Sequence, residues 1–215
     1  MQAEEMMKQL MGEMGEELIP QLQPYLEDGV LGKQIRHPLV YQVPLWSNGS
    51  ANRMFLQKKA EVKIALKEKA WNRFVFLHER PYRLNAFLEI QDQLKDTEYW
   101  RLLADTWIDT ENAWQNRAKW RKLFDSKRPY SNYLMNETED NAMRSLPEKV
   151  TIYRGSSYHN EKGLSWTLSK EKAEFFAQRF SERRGKVYER EVSRDQILAL
   201  FFGRGESEVI LKGDK

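Results

Sequence analysis

The sequence predicts an α+β protein in which a helical N-terminal portion precedes a small, mostly antiparallel β-sheet. Through the first two thirds of the chain, apolar residues recur at three- and four-residue spacing, which is typical of amphipathic helices. From Val150 the period changes to two, which is typical of strands. We therefore expect an N-terminal helix with an irregular linker (1–50), a helical portion that packs on the core (51–149) and a β-rich core (150–215).

The first fifty residues carry methionines and leucines at helical spacing, which predicts one helix over 1–28 with a potential break at Pro20. A methionine-rich face adapts readily to a partner, but packing against the protein's own body is the favoured interpretation. Residues 29–52 are rich in glycine and proline and predict an irregular segment with one short strand at 39–43.

The helical portion divides at its breaker residues. Helices are predicted at 53–79, 82–95 and 97–124, with a shorter one at 138–146. The first ends before Pro81, because a residue that precedes proline is pushed out of helical geometry.

Three tryptophans in the third predicted helix, Trp100, Trp107 and Trp114, are spaced by seven and so lie nearly on one stripe. Such a stripe can stack on a ligand, but it is more often the face that a helix buries. Burial is the interpretation we favour.

The β-rich core contains alternating segments separated by turn residues. Strands are predicted at 150–154, 164–168, 186–192, 197–202 and 208–212. A helix is predicted over 170–183, with Ser169 as its N-cap and Glu171 in its first turn, where a carboxylate suits the helix dipole.

Composition narrows the classes of function. The chain has 215 residues, no cysteine and three scattered histidines, so disulfides and thiolate chemistry are excluded and a protein metal site is not expected. The 35 basic and 32 acidic residues give a net charge of +3, which disfavours nucleic-acid binding but suits an anionic ligand. No apolar run reaches the roughly 18 residues that a membrane span needs, and the acidic N-terminus is unlike a secretion signal. We expect a cytoplasmic protein without a membrane partner.

Three short motifs in the core carry chemistry. Residues 150–155 (VTIYRG) end a strand on an arginine and a glycine; residues 163–168 (GLSWTL) place two hydroxyls two positions apart; residues 201–211 (FFGRGESEVIL) lead through a glycine-rich loop to two glutamates. Each alone has an ordinary explanation, as an ion-paired arginine, a surface strand or a charged strand edge.

In this order the three motifs resemble those of mono-ADP-ribosyltransferases of the arginine–serine–glutamate class. The resemblance covers about the last 65 residues of the chain and implies NAD as co-substrate, no metal, and a target protein as partner. It assigns Arg154 to the NAD phosphates, Ser165 to the ribose side of the site, and Glu208 to the nicotinamide ribose and its developing positive charge. Glu206 is assigned to the incoming nucleophile, and a glutamate at that position goes with arginine acceptors in the family.

Two of the remaining cofactor-binding residues come from the same motifs: Gly155 follows the arginine, and Thr167 occupies the place of the second hydroxyl. Phe175 and Phe176 lie on the helix after Ser165, where Phe176 is assigned to flank the nicotinamide and the alternative is that both rings simply pack. The loop glycines Gly203 and Gly205 give the segment before Glu206 backbone freedom to meet a target.

Only 11 positions separate the arginine from the serine, a spacing like that of compact bacterial and phage members and unlike that of large toxins. The sequence therefore favours a protein-modifying effector, acting in the host cytoplasm if it is viral. Two alternatives remain open: an NAD glycohydrolase that uses the same pocket with water as acceptor, and a non-catalytic protein-interaction module.

Overall fold

A computed structural model describes residues 15–111, 113–156, 163–179 and 185–213. The chain divides into two compact units, Met1–Gln93 and Leu94–Lys215. The α+β class predicted from the sequence is confirmed, since helices accompany two antiparallel sheets. The three-part division at residues 50 and 149 stays a prediction.

The first unit contains a three-stranded antiparallel sheet, β1 (Leu26–Gly29), β2 (Gly32–His37) and β3 (Val40–Gln42), in that order. Gly29 pairs with Gly32, which leaves a two-residue hairpin turn, and Gly32 has a φ of 106° that favours glycine there. One face of this sheet is buried against the following helix. Its core contains Leu22, Ile35, Val40 and Phe55.

This sheet corrects the prediction of a single helix over 1–28. Residues 1–14 lie outside the described part, but beyond Gly15 the chain forms a turn, a 3₁₀ segment at Gln23–Tyr25 with proline in its first turn, and then β1. Proline fixes φ and lacks an N–H, so Pro20 and Pro24 oppose a continued helix. The strand predicted at 39–43 is confirmed as β3.

Three helices complete the first unit: α1 (Asn48–Glu68), α2 (Trp71–Leu77) and α3 (Arg83–Ile90). The side chain of Ser47 caps α1 by accepting from the N–H of Ser50. The prediction of one helix over 53–79 is wrong at its middle, because Lys69 adopts a left-handed φ of 54° that ends α1.

Three helices also begin the second unit: α4 (Asp96–Asp109), α5 (Arg117–Phe124) and α6 (Glu137–Ser145). The predicted continuous helix over 97–124 is wrong, because the chain turns extended at Thr110 after α4 ends. Trp100 and Trp107 are buried as expected, whereas Trp114 lies in a 3₁₀ turn and is 47% exposed. The short helix predicted at 138–146 is confirmed as α6.

The second unit ends in a five-stranded antiparallel sheet with one helix between its strands. Its elements are β4 (Lys149–Ser156), β5 (Ser165–Thr167), α7 (Lys170–Gln178), β6 (Lys186–Ser193), β7 (Ile197–Phe201) and β8 (Glu208–Leu211), and the strand order is β6-β4-β5-β8-β7. All five predicted strands are confirmed within three residues at each end. Ser169 caps α7 as predicted; the helix ends at Gln178, and positions 180–183 of its predicted extent lie outside the described residues.

The core of this sheet consists of alternate apolar residues on its strands. They include Val150 and Ile152 on β4, Val192 on β6, Ile197 and Leu200 on β7, and Val209 on β8. Helix α6 covers them with Ala142 and Met143. Among the described residues, no helix is long and apolar enough to cross a bilayer.

Candidate functional site

The strand register of the second sheet brings the three sequence motifs side by side. Tyr153, next to Arg154, pairs with Thr167, and Thr167 pairs on its other side with Glu208. Antiparallel neighbours lie about 5 Å apart, so residues more than 50 positions apart in sequence meet within three adjacent strands.

These strand ends form part of the wall of a cavity of about 220 Å³. All seven site residues predicted from the sequence line it. They are Arg154, Gly155, Ser165, Thr167, Phe176, Glu206 and Glu208. Every described residue that lines the cavity belongs to the second unit.

Arg154 is a buried cation at this cavity, with 8% of its surface exposed. Its Nη1 donates a hydrogen bond to the carbonyl oxygen of Ser165, which ties the guanidinium of β4 to the backbone of β5.

Two glycines provide room around Arg154. A Cβ on Gly163 would lie 1.8 Å from Arg154 Nη2, and a Cβ on Gly155 would lie 1.8 Å from the carbonyl oxygen of Ala173 in α7. Any side chain at either position would overlap a neighbour. Gly163 therefore makes room for the guanidinium of Arg154, and Gly155 allows α7 to pack on β4.

Hydrogen bonds to the backbone of the loop fix the positions of Glu206 and Glu208. Ser207, between them, has a left-handed φ of 45°, and Thr167 Oγ1 donates to the carbonyl oxygen of Glu206 at 2.6 Å. The N–H of Leu168 donates to the carbonyl oxygen of Ser207 at 3.1 Å. As a result Glu208 is almost fully buried on β8, at 4% exposed, while Glu206 is only partly buried.

The sequence analysis missed Glu139, which fixes the start of the same loop. This buried carboxylate accepts from the N–H of Phe202 at 2.8 Å and from the N–H of Asn136 at 3.0 Å. The spacing Asn136-x-x-Glu139 at the start of a helix is a capping-box signature that predicts the second bond, but nothing local predicts the first. Of the aromatic pair before the loop, Phe201, the last residue of β7, is fully buried, and Phe202, which follows the strand, is 37% exposed.

The residues of a second wall of the cavity were also not predicted from the sequence. It comes from the end of α4, the turn after it, and α7, and its residues are Trp107, Thr110, Glu111, Ala113, Trp114 and Arg179. The indole N–H of Trp107 is buried and has no hydrogen-bond partner among the described residues. This wall therefore offers a donor, an aromatic face and charges of both signs.

The cavity combines two guanidinium groups, Arg154 and Arg179, with three carboxylates, Glu111, Glu206 and Glu208. Within the described part of the chain, no group of three histidine, cysteine, aspartate or glutamate side chains could hold a metal ion. The guanidinium and carboxylate groups together suit an organic ligand that carries both anionic and cationic groups.

Comparisons with known proteins identify no relative. No protein-family model matches the chain, and neither a curated protein nor a solved structure matches it significantly.

Proposed function

We propose that the chain is an NAD-dependent mono-ADP-ribosyltransferase that modifies a side chain of a target protein, with arginine the favoured acceptor. The observation that carries this proposal is the register of β4, β5 and β8. One row across the three strands consists of Tyr153, Thr167 and Glu208. Arg154, next to Tyr153, and Ser165, two residues before Thr167, line the same cavity as this row.

The reaction requires little covalent chemistry from the protein. The bond between the nicotinamide nitrogen and C1′ of the ribose breaks, and nicotinamide leaves with the electron pair. The sugar then has oxocarbenium character, which a nearby carboxylate stabilises. A nitrogen of the acceptor guanidinium attacks C1′ and loses one proton.

Glu208 suits the stabilising role because it is a carboxylate at a site largely withdrawn from water. Its exposure of 4% means that its charge is poorly screened, so it interacts more strongly with a developing cation than a surface glutamate would. Glu206, two residues earlier and less buried, suits the proton-accepting role toward an acceptor that approaches from solvent.

NAD fits the residues that line the cavity. Arg154 lines the cavity and is oriented by its bond to Ser165, and a guanidinium fork is well suited to bind a pyrophosphate. Arg179 adds a second cation and Phe176 an aromatic ring. Positioning by such groups accounts for much of the rate in reactions of this type.

The test mixes the folded protein with NAD labelled in its adenylate part and a cell lysate. Glu208→Gln removes the charge at the site, and Glu189→Gln, an exposed glutamate of β6 outside the cavity lining, is the matched control. We expect one labelled protein band with wild type and Glu189→Gln, and none with Glu208→Gln.

The other outcomes separate the alternatives. Free ADP-ribose and nicotinamide without a labelled band would identify an NAD glycohydrolase. No NAD consumption by a folded wild-type protein would overturn the enzymatic proposal and favour an interaction module. The setting we propose, from the likeness to compact members of the family, is a phage or bacterial effector in the cytoplasm.

A further inference from the structure

The turn between α4 and α5 brings a tryptophan to the cavity. Helix α4 ends at Asp109, where the N–H of Thr110 bonds the carbonyl oxygen of Trp107, and the chain resumes as a 3₁₀ turn at Ala113–Asn116. In an unbroken helix Trp114 would continue the buried face of Trp100 and Trp107. The break places it at the cavity wall instead.

The exposure of Trp114 sets it apart from its neighbours. It is 47% exposed, whereas Trp100, Trp107 and Trp120 of the same unit are each 3% exposed or less. An indole left in water forgoes much of the stabilisation that burial gives an aromatic side chain. A flat aromatic face at a charged cavity is instead suited to bind a planar group or a cation.

The charges at the cavity decide which ligand suits this face. Glu111, an exposed residue three positions before Trp114, also lines the cavity. The proposed transfer uses two carboxylates, Glu208 for the sugar cation and Glu206 for the acceptor proton. Glu111 is a third carboxylate, on the side of the cavity formed by the α4–α5 turn, and neither of these two roles uses it.

We propose that Trp114 and Glu111 form the subsite for the acceptor, and that they bind its guanidinium by stacking on the indole and by attraction to the carboxylate. This inference rests on the proposed function and names what that function leaves open, the residues that recognise the acceptor. A guanidinium is planar, always charged and weakly hydrated, so it stacks on an aromatic face better than an ammonium does.

The test uses agmatine, a small guanidino compound, as acceptor with labelled NAD, so that no target protein is needed. The KM for agmatine is measured at saturating NAD, and the KM for NAD is measured by nicotinamide release without acceptor. The variants are Trp114→Leu and Glu111→Gln, with Trp114→Phe to restore an aromatic face. Trp46→Leu is the control, because Trp46 is 80% exposed and lies outside the cavity lining.

We expect Trp114→Leu to raise the KM for agmatine by about tenfold and Glu111→Gln by about fivefold. Any change in the KM for NAD should be smaller than the change in the KM for agmatine, Trp114→Phe recovers part of the loss, and Trp46→Leu behaves as wild type. A merely structural role for Trp114 would change both KM values or the stability together.

Four results would overturn the inference. If both variants keep the wild-type KM for agmatine, the acceptor binds elsewhere while the proposed function stands. If the KM for NAD rises instead, Trp114 belongs to the dinucleotide. If the wild type releases nicotinamide but does not modify agmatine, the guanidinium subsite is wrong; if it releases none, the proposed function fails first, and this inference with it.

Discussion

Thr167 Oγ1 donates a hydrogen bond of 2.6 Å to the backbone carbonyl oxygen of Glu206, 39 residues later in the chain. Thr167 Oγ1 also accepts a hydrogen bond from the N–H of Ser169 at 3.1 Å. One buried hydroxyl therefore joins the end of β5 to the start of α7 and to the loop that carries both glutamates. Its two hydrogen bonds fix the position from which Glu206 and Glu208 face the cavity.

Thr167→Val tests this relationship, because valine keeps the shape and removes both hydrogen bonds. It leaves a buried carbonyl and an N–H without partners, so we expect the free energy of unfolding to fall by about 1–3 kcal/mol. Displacement of the glutamates should lower NAD turnover by about tenfold to a hundredfold. Thermal denaturation and nicotinamide release measure the two effects.

The matched control for this change is Thr151→Val, an exposed threonine on β4. It should alter neither stability nor turnover. Wild-type stability of Thr167→Val would mean that the 2.6 Å bond contributes nothing.

The two glycines around Arg154 should respond differently to alanine. At Gly155 the new Cβ meets the carbonyl oxygen of Ala173 at 1.8 Å and the nitrogen of Ala177 at 2.7 Å, both backbone atoms of α7. The helix must move away from β4, so we expect Gly155→Ala to lower the free energy of unfolding by about 3 kcal/mol. Urea denaturation measures it.

At Gly163 the obstacle is a side chain, the guanidinium of Arg154 at 1.8 Å. A side chain can move where a backbone cannot, so Gly163→Ala should fold with a smaller loss of stability than Gly155→Ala. It should nevertheless raise the KM for NAD by about tenfold or more, because the displaced guanidinium carries the proposed phosphate contact.

The control for both is Gly15→Ala, where nothing lies within 4 Å of the new Cβ. A Gly163→Ala protein with unchanged NAD kinetics would contradict the placement of Arg154 at the phosphates.

Features of this fold that depend on local sequence patterns were predicted more successfully than those that depend on contacts between residues far apart in the chain. The five strands of the second sheet follow from two-residue alternation, a local property, and the motif residues at their ends line one cavity because adjacent strands share a register. The break before Trp114 has no comparable local signal. The spacing of seven between the tryptophans suggested one continuous buried stripe, and the chain turns instead.

The first sheet was predicted only in its strand β3, and its other two strands were missed for a related reason. Its strand β1 contains Glu27 and Asp28, which have low strand propensity, and its stability comes from pairing with β2. Likewise Glu139 contacts Phe202 across 63 residues, a bond that only the folded chain creates. Features set by long-range packing are those that local patterns fail to predict.

Glu139→Gln should weaken the start of the glutamate loop. The substitution leaves one neutral acceptor oxygen and replaces the other with an NH₂ group, so both N–H groups lose a charged partner and either that of Phe202 or that of Asn136 loses its acceptor. We expect a loss of about 2 kcal/mol in the free energy of unfolding, with reduced turnover because the loop begins at Phe202. Glu137→Gln, exposed on the same helix, is the control; equal behaviour of the two variants would show that the buried bonds do not matter.

His37 should make the first unit sensitive to acid. Burial lowers the pKa of His37 below its ordinary value of 6.5, with further lowering by the charges of His78 and Lys59. The neutral ring accepts the N–H of Leu39 on Nδ1 at 2.9 Å and packs edge-on against Tyr25 and Phe55. Protonation would remove that acceptor.

The sign of the effect follows from proton binding. As pH falls through about 6.5, the unfolded chain binds the proton first, so the free energy of unfolding decreases, and it levels off below the folded pKa. As pH falls from 7.5 to 5.5 we therefore expect the protection factors of the β1–β3 amides, which compare the measured exchange rate with the intrinsic rate at the same pH, to decrease. His37→Phe should flatten the slope of the free energy of unfolding against pH, although it lowers the stability at every pH. Part of the slope remains, because burial also lowers the pKa of His78. Tyr41→Phe, on the neighbouring strand, should keep the wild-type slope, and a His37→Phe protein with that same slope would assign the acid sensitivity to other groups.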